Sequence, residues 1–316
     1  MTRYLVTGGA GFIGSHIVDA LLTRGDDVRV LDDLSSGHLE NLPLNLDRLQ
    51  FIEGDIRDKA VVRRAMAGVE TIFHLAAMVS VPQSMAEPRQ AELINGVGTL
   101  NLLEAARAAG VRRLVLSSTC AVYGDDPTLP KTEVMPAQPK SPYAISKLAA
   151  ELYCRLFTDA FGLETVVLRY FNVFGPRQDP SSPYSGVISI FVDRLSQSLP
   201  VTIFGTGEQT RDFVFVSDVA RANLLAAESA NAVGQIFNIG TGQAVTVNRL
   251  FSSLAQILGY DGQPTYRSAR PGDILHSYAD PSLAGAGLNW RPQFSFEAGL
   301  NALVESMRHP SNPGIA

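Results

Sequence analysis

The chain predicts an α/β fold built on a doubly wound parallel sheet, with a smaller lobe toward its carboxyl end. Three observations carry that expectation. Short aliphatic runs alternate regularly with helical stretches, a glycine-rich turn follows the first run, and an acidic residue closes the second. Repeated β-α units of this kind imply parallel strands buried on both faces.

Taken in order, residues 4–7, 28–31, 49–53, 71–75 and 114–117 are rich in aliphatic or β-branched residues and read as five strands. Helical stretches near 13–24, 59–67, 90–109 and 142–161 alternate with them, and Gly25 and Gly110 fall where helix C-caps are expected. Residues 165–170 and 235–239 look like two more strands of the same sheet. From about Phe174 the chain carries more proline and glycine. The expected division is therefore a nucleotide-binding lobe over 1–173, with a return strand near 235–239, and a second lobe mainly over 174–316. The tail from His309 is expected to fray.

Composition narrows the function. With 316 residues, 46% hydrophobic and 18% charged, the chain suits a large soluble α/β domain or two coupled lobes. A net charge of -5 gives no reason to expect nucleic-acid binding. Glycine, proline or charge interrupts every apolar run before the ~20 residues of a membrane span, so no membrane partner is expected. The amino terminus runs straight into a strand and tight turn and lacks a signal-peptide layout. Two cysteines, Cys120 and Cys154, suit a reducing cytoplasm. Five scattered histidines show no ligand spacing, and no metal site is expected.

The glycine turn is Thr7-Gly8-Gly9-Ala10-Gly11-Phe12-Ile13-Gly14. It contains both G-x-G-x-x-G and G-x-x-G-x-x-G between a predicted strand and a predicted helix. Glycines permit the turn and let backbone approach a pyrophosphate, whose charge a helix N-terminus favours. This is the pattern of a Rossmann-type dinucleotide site. Asp32 stands eighteen residues beyond Gly14, at the end of the second strand. A carboxylate there accepts from the adenosine ribose hydroxyls and repels a 2′-phosphate. Asp33 follows, and no arginine stands in the next few positions, so NAD is favoured over NADP. Asp55, in Gly54-Asp55-Ile56, closes the third strand where adenine should lie.

Tyr143 and Lys147 are four apart on a predicted helix and share one face. An ammonium beside a phenol favours the phenolate, which can then take a proton from a sugar or alcohol hydroxyl. That is the acid–base half of hydride transfer to nicotinamide. On the residues alone, Arg211 and Asp212 read equally as a surface ion pair, Asn172 as a turn residue and Ser117-Ser118 as a strand end. Cys120 has no partner base and reads as a small packed residue; Trp290 reads as core.

Together, residues 7–14, Gly54-Asp55-Ile56, His74-Leu75-Ala76-Ala77, 116–124, 141–147, 168–176, 205–212, 270–273 and Ala279-Asp280 resemble the extended short-chain dehydrogenase/reductase family, specifically its UDP-hexose 4-epimerases. The resemblance implies catalysis by Thr119, Tyr143 and Lys147, with Lys147 also holding the nicotinamide ribose. It implies a cofactor site of Gly8, Gly11, Phe12, Ile13, Gly14, Asp32, Asp33, Ser36, Gly37, Asp55, Ile56, Leu75, Ala76, Ala77, Asn95, Ser117 and Tyr170, besides Tyr143 and Lys147. Substrate would be held by Thr119, Tyr143, Asn172, Val187, Phe204, Arg211, Arg270, Asp273 and Ser277. Arg211 and Arg270 suit the diphosphate, as planar guanidinium groups do. Where such enzymes sometimes carry a lysine against the cofactor, this chain has Val79.

The same resemblance separates reactions. Dehydratases place an Asp-Glu pair just after the catalytic threonine, and related decarboxylases place a Glu two residues after it. Cys120 and Ala121 stand there instead. Epimerisation needs no such group, only room for a 4-keto sugar to turn over. The expectation is therefore 4-epimerisation of UDP-hexoses by a homodimer with tightly bound NAD. Ser277, two positions before Ala279-Asp280, would leave space for an N-acetyl group. The alternatives are an epimerase or dehydratase of another nucleotide sugar, such as a UDP-uronic acid, or a non-catalytic NAD-binding protein.

Overall fold

The computed structural model describes residues 3–179, 186–269 and 274–308. Its first half alternates strand and helix: β1 (Arg3–Thr7), α1 (Phe12–Thr23), β2 (Asp27–Asp32), β3 (Leu49–Glu53), α2 (Lys59–Ala65) and β4 (Thr71–His74). Then come α3 (Val81–Ala86), α4 (Pro88–Ala91), a π-helical turn (Glu92–Val97), α5 (Gly98–Ala109), β5 (Arg113–Thr119), α6 (Pro142–Phe161) and β6 (Glu164–Tyr170). The second half supplies β7 (Asn172–Phe174), α7 (Val187–Ser196), β8 (Thr202–Phe204), β9 (Thr210–Arg211), β10 (Phe213–Phe215) and α8 (Val216–Glu228). It continues with β11 (Ile236–Ile239), β12 (Val245–Thr246), α9 (Val247–Leu258), β13 (Thr265–Arg267), α10 (Ser282–Leu288) and α11 (Phe296–Arg308).

Seven strands form the main sheet in the order β11-β6-β5-β4-β1-β2-β3, and every neighbouring pair is parallel. This is the doubly wound architecture expected. Side chains alternate across it: Val6, Val30, Val115 and Val166 pack toward α1 and α8, whereas Leu5, Leu31, Leu114 and Val167 pack toward α2, α5 and α6. Strand order reverses between β1 and β4, and ligands of such sheets bind at the carboxyl ends beside that switch.

α6 has strong punctuation at both ends. Ser141 caps it by accepting from the Ala144 amide, proline stands in its first turn, and Gly162 closes it at φ 72°. The single helix expected over 90–109 is instead broken into α4, the π-helical turn and α5. The wider turn places Asn95 against the Met78 backbone, and Gly98, the first residue of α5, is packed so closely that a β-carbon would lie 2.5 Å from Ile56.

The second lobe has its own aromatic core, in which Phe174, Phe213, Phe215 and Phe296 meet at ring-centroid distances of 5.5–6.3 Å. Trp290 is wholly buried, as expected, and donates to the Asp218 carbonyl. A smaller cluster of Val122, Tyr123, Phe171 and Ala279 ties the second lobe to the end of β5.

Candidate active site

The glycine turn after β1 divides its demands between fold and ligand. Gly8 has φ 69°, and a β-carbon there would lie 2.7 Å from the Ala76 amide; at Gly14 it would lie 2.1 Å from the Gly8 carbonyl. Those two glycines are required by the protein's own packing. A β-carbon at Gly11 meets only the Gly8 carbonyl, at 3.2 Å, so that glycine keeps the outer side of the turn low. Gly11 is also the N-cap of α1 and supplies no side-chain acceptor to the first-turn amides of Phe12 and Ile13. The turn therefore fits a pyrophosphate.

Asp32 is buried at the end of β2. Each of its oxygens accepts one backbone bond, from Ala10 and from Leu34, both at 2.9 Å. Burial raises its pKa, and these bonds pull it back. A carboxylate has about four acceptor positions, which leaves capacity for two ribose hydroxyls. Gly37 lies so close that a β-carbon would come within 3.0 Å of Asp32 Oδ1, while Asp33 and Ser36 are exposed beside it. Leu75, Ala76 and Ala77 are half-buried after β4, with the amides of Leu75 and Ala76 donating to the Thr7 carbonyl.

Four residues expected to contact the cofactor have other partners. Asp55 is engaged by Arg57, which holds its carboxyl below the usual range. Ile56 is buried, with its side chain on Gly98. Asn95 is buried and gives both ends of its amide to protein: Oδ1 to the Met78 amide, Nδ2 to the Met78 carbonyl and Ser146. Tyr170 is core and shares a hydrogen bond with Asn223.

Thr119 ends β5 and Tyr143 stands in the first turn of α6, near enough for the threonine hydroxyl to favour the phenolate. Lys147, one turn further, is buried and donates to the Ser117 carbonyl at 2.9 Å. Burial lowers the ammonium to about 8, against the pull of Glu151. The expectation that Lys147 brings down the phenol is not met. Burial pushes Tyr143 up to about 12, opposed only by Thr119, while the ammonium donates to the Ser117 carbonyl instead. Burial likewise raises the Cys120 thiol, to about 11.

From the second lobe, Asn172 begins β7 and its amide donates to the Asp212 carbonyl at 2.9 Å. Arg211, on β9, lies near enough to Cys120 to favour its thiolate. Asp212 is no surface ion-pair residue; it is fully buried among backbone donors. The Ser277 amide donates to the Thr210 carbonyl, and Ser277 is buried like Ala279, whereas Tyr278 between them is less so. Ala279 packs on Val122 and Tyr123 beyond the end of β5. Phe204 ends β8 and Val187 begins α7. Arg270 and Asp273 lie outside the described residues.

Residues 4–240 match the model of one family. The chain belongs to the NAD dependent epimerase/dehydratase family. A UDP-glucose 4-epimerase from Mycolicibacterium smegmatis is 42% identical over 98% of this chain and 99% of its own. Among solved structures, the UDP-glucose 4-epimerase from Thermotoga maritima, determined with UDP-glucose, is 44% identical with a TM-score of 0.94, covering 98% of this chain and 100% of that one. The UDP-N-acetylglucosamine 4-epimerase from Methanobrevibacter ruminantium M1, determined with UDP-N-acetylmuramic acid, is 41% identical, also at 0.94, covering 98% and 99%.

Sequence reasoning missed the supports beneath this family site. Glu151, one turn beyond Lys147, is buried and accepts from Ser118 and from Arg169 at 2.7 and 3.0 Å. Burial alone would lower the Arg169 guanidinium, but its bonds to Glu151 outweigh that and raise it. Arg169 also lies 4.9 Å from the Tyr123 ring centroid. Under the glycine turn, His74 bridges Thr7 and Thr99, each at 2.8 Å. A charged residue at i+4 from Lys147 was a readable signal for Glu151; His74 offered none, since its partners are distant in sequence.

Burial holds His74 at about 3, against 6.5 for a free imidazole. Between those values the unfolded chain binds a proton that the folded one refuses. Its contribution is therefore intact above about 6.5 and lost as pH falls toward 3. From pH 6.5 to 5 the loss from this residue is about 2 kcal/mol. Denaturant unfolding at both pH values should show a shallower pH dependence for His74→Asn than for the wild type; equal slopes would remove His74 as the source.

Proposed function

We propose that this protein is an NAD-dependent UDP-hexose 4-epimerase, an isomerase that works through a transient 4-keto sugar. The close approach of Thr119, at the end of β5, to Tyr143, with Cys120 and Ala121 rather than acidic residues after the threonine, carries the reading. Thr119 orients the sugar 4-hydroxyl and links it to Tyr143, whose phenol moves the proton. Lys147, fixed on the Ser117 carbonyl, holds the nicotinamide ribose. When bound, NAD would supply the hydride acceptor and a positive charge that would favour the phenolate. The Cys120 thiol stays protonated at neutral pH and offers no base for loss of water or carbon dioxide. Arg211 and Arg270 meet the diphosphate, and Asp273 the uridine ribose. Asn172 contacts the diphosphate, and Phe204 and Val187 border the nucleotide.

The working state is a homodimer. One face of α6 carries Lys147 and Glu151 inward, while Ile145, Leu152 and Leu156 are 49–62% exposed on the other. Val97 from the π-helical turn is exposed as well, giving an apolar surface suited to a four-helix contact with a second copy. Among the described residues no helix is long and apolar enough to cross a membrane, and both cysteines are free, which suits a cytoplasmic enzyme.

Purified protein given UDP-galactose without added NAD should form UDP-glucose with no net change in reduced-nicotinamide absorbance. Tyr143→Phe should lose at least ~10²–10⁴-fold in rate while keeping UDP-sugar affinity. An absolute need for stoichiometric NAD, or a near-normal Tyr143→Phe rate, would refute the mechanism.

UDP-N-acetylhexosamines should be substrates too. Ser277→Tyr should suppress their turnover far more than that of UDP-galactose, since added bulk meets only the larger substituent. Equal suppression of both would remove Ser277 as the gate.

Light scattering at micromolar concentration should give twice the chain mass of 34.0 kDa. A monomer there would overturn the dimer.

A further inference from the structure

Asp212 stands beside Arg211 on the short link between β9 and β10, and none of its side chain reaches solvent. Its Oδ1 accepts from the Thr241 amide at 2.7 Å and the Thr241 hydroxyl at 2.6 Å. Its Oδ2 accepts from the Gly242 amide at 2.9 Å and the Ala279 amide at 3.1 Å. Three of these partners are amides that can only donate, so the arrangement fits an ionised carboxylate with all its acceptor positions used. Gly240 completes the enclosure: a β-carbon there would lie 2.7 Å from Oδ2 and 2.8 Å from the Ala279 methyl.

These bonds join segments remote in sequence. The Asp212 backbone carbonyl receives the Asn172 amide, Thr210 receives the Ser277 amide, and the carboxylate itself fastens residues 241–242 and 279. Asn172 and Ser277 thus bond the main chain on either side of Arg211, and the buried carboxylate fastens that same stretch to residues 241–242 and 279. The same carboxylate and Arg211 both act electrostatically on Cys120, the neighbour of Thr119.

We propose that Asp212 is a positioning residue for substrate: its buried carboxylate sets Arg211 and the Ser277 wall relative to each other and to Thr119. It touches neither sugar nor cofactor in this role. The proposal rests on the UDP-hexose reading above. It predicts that substrate affinity and the choice between sugars, not cofactor retention, depend on this one charge.

Asp212→Asn keeps the volume but turns one acceptor into a donor facing bonded N–H groups. Lost charge-assisted bonds correspond to a rise of about 10-fold or more in the Kd for UDP, read by calorimetry. KM for UDP-galactose should rise by more than kcat falls. The ratio of kcat/KM between UDP-N-acetylgalactosamine and UDP-galactose should also shift, with NAD content unchanged. Thr241→Val removes a single hydroxyl bond, for an expected rise of about 3-fold in UDP Kd; it carries the test if Asp212→Asn does not fold. A lowered Tm with unchanged UDP Kd and unchanged sugar ratio would overturn the positioning role alone. Wild-type protein that fails to bind UDP would overturn the UDP-hexose reading and this role with it.

Discussion

The buried carboxylate of Glu151 is the fixture on which the geometry of the candidate site depends. It stands on α6, one turn from Lys147, and receives Ser118 from β5 and Arg169 from β6. Helix and strands are thereby indexed to each other by a hydrogen-bonded ion pair that water does not reach. Removing one partner of such a pair costs about 3–5 kcal/mol, because the other charge is left buried and alone. The cost follows from desolvation, and so does the benefit: few alternative placements satisfy both charges. Tyr143 at the start of α6 and Thr119 at the end of β5 inherit their mutual position from it.

Buried carboxylates recur at the three junctions the site needs. Asp32 gathers the turns after β1 and β2, Glu151 joins α6 to the sheet, and Asp212 gathers the loops of the second lobe. They differ in how the charge is met. Glu151 has a cation; Asp32 and Asp212 have backbone amides. An amide-bound carboxylate fixes main chain directly, which suits turns that must present their own N–H groups or small side chains to a ligand. A cation-bound one fixes side chains, which suits helix against strand.

Much of this was legible in the sequence. The seven strands of the sheet follow from local runs of aliphatic residues, and the glycine turn with Asp32 follows from spacing, because these depend on neighbours in the chain. The break in the helix over 90–109 was not legible. It arises from Asn95 reaching Met78 and Gly98 admitting Ile56, contacts that the helical periodicity does not encode. The same limit explains the acidity of Tyr143. Spacing placed Lys147 on the phenol's face of the helix, but the ammonium's direction is set by the Ser117 carbonyl on another element. Asp212 looked like half of an ion pair for a similar reason, since its four donors come from residues 29 to 67 positions away.

The chain's late return to the main sheet has a consequence for synthesis. β11 covers the outer edge of β6, pairing residues 236–239 with 167–170. On the ribosome, everything through β6 emerges well before that partner exists. Until about seventy more residues have been made, β6 presents an open row of amides and carbonyls beside valine and leucine side chains. The nucleotide-binding lobe is therefore not a finished unit that the second lobe joins. It is completed by a strand belonging to the part of the gene that encodes its neighbour, and the two halves must mature together.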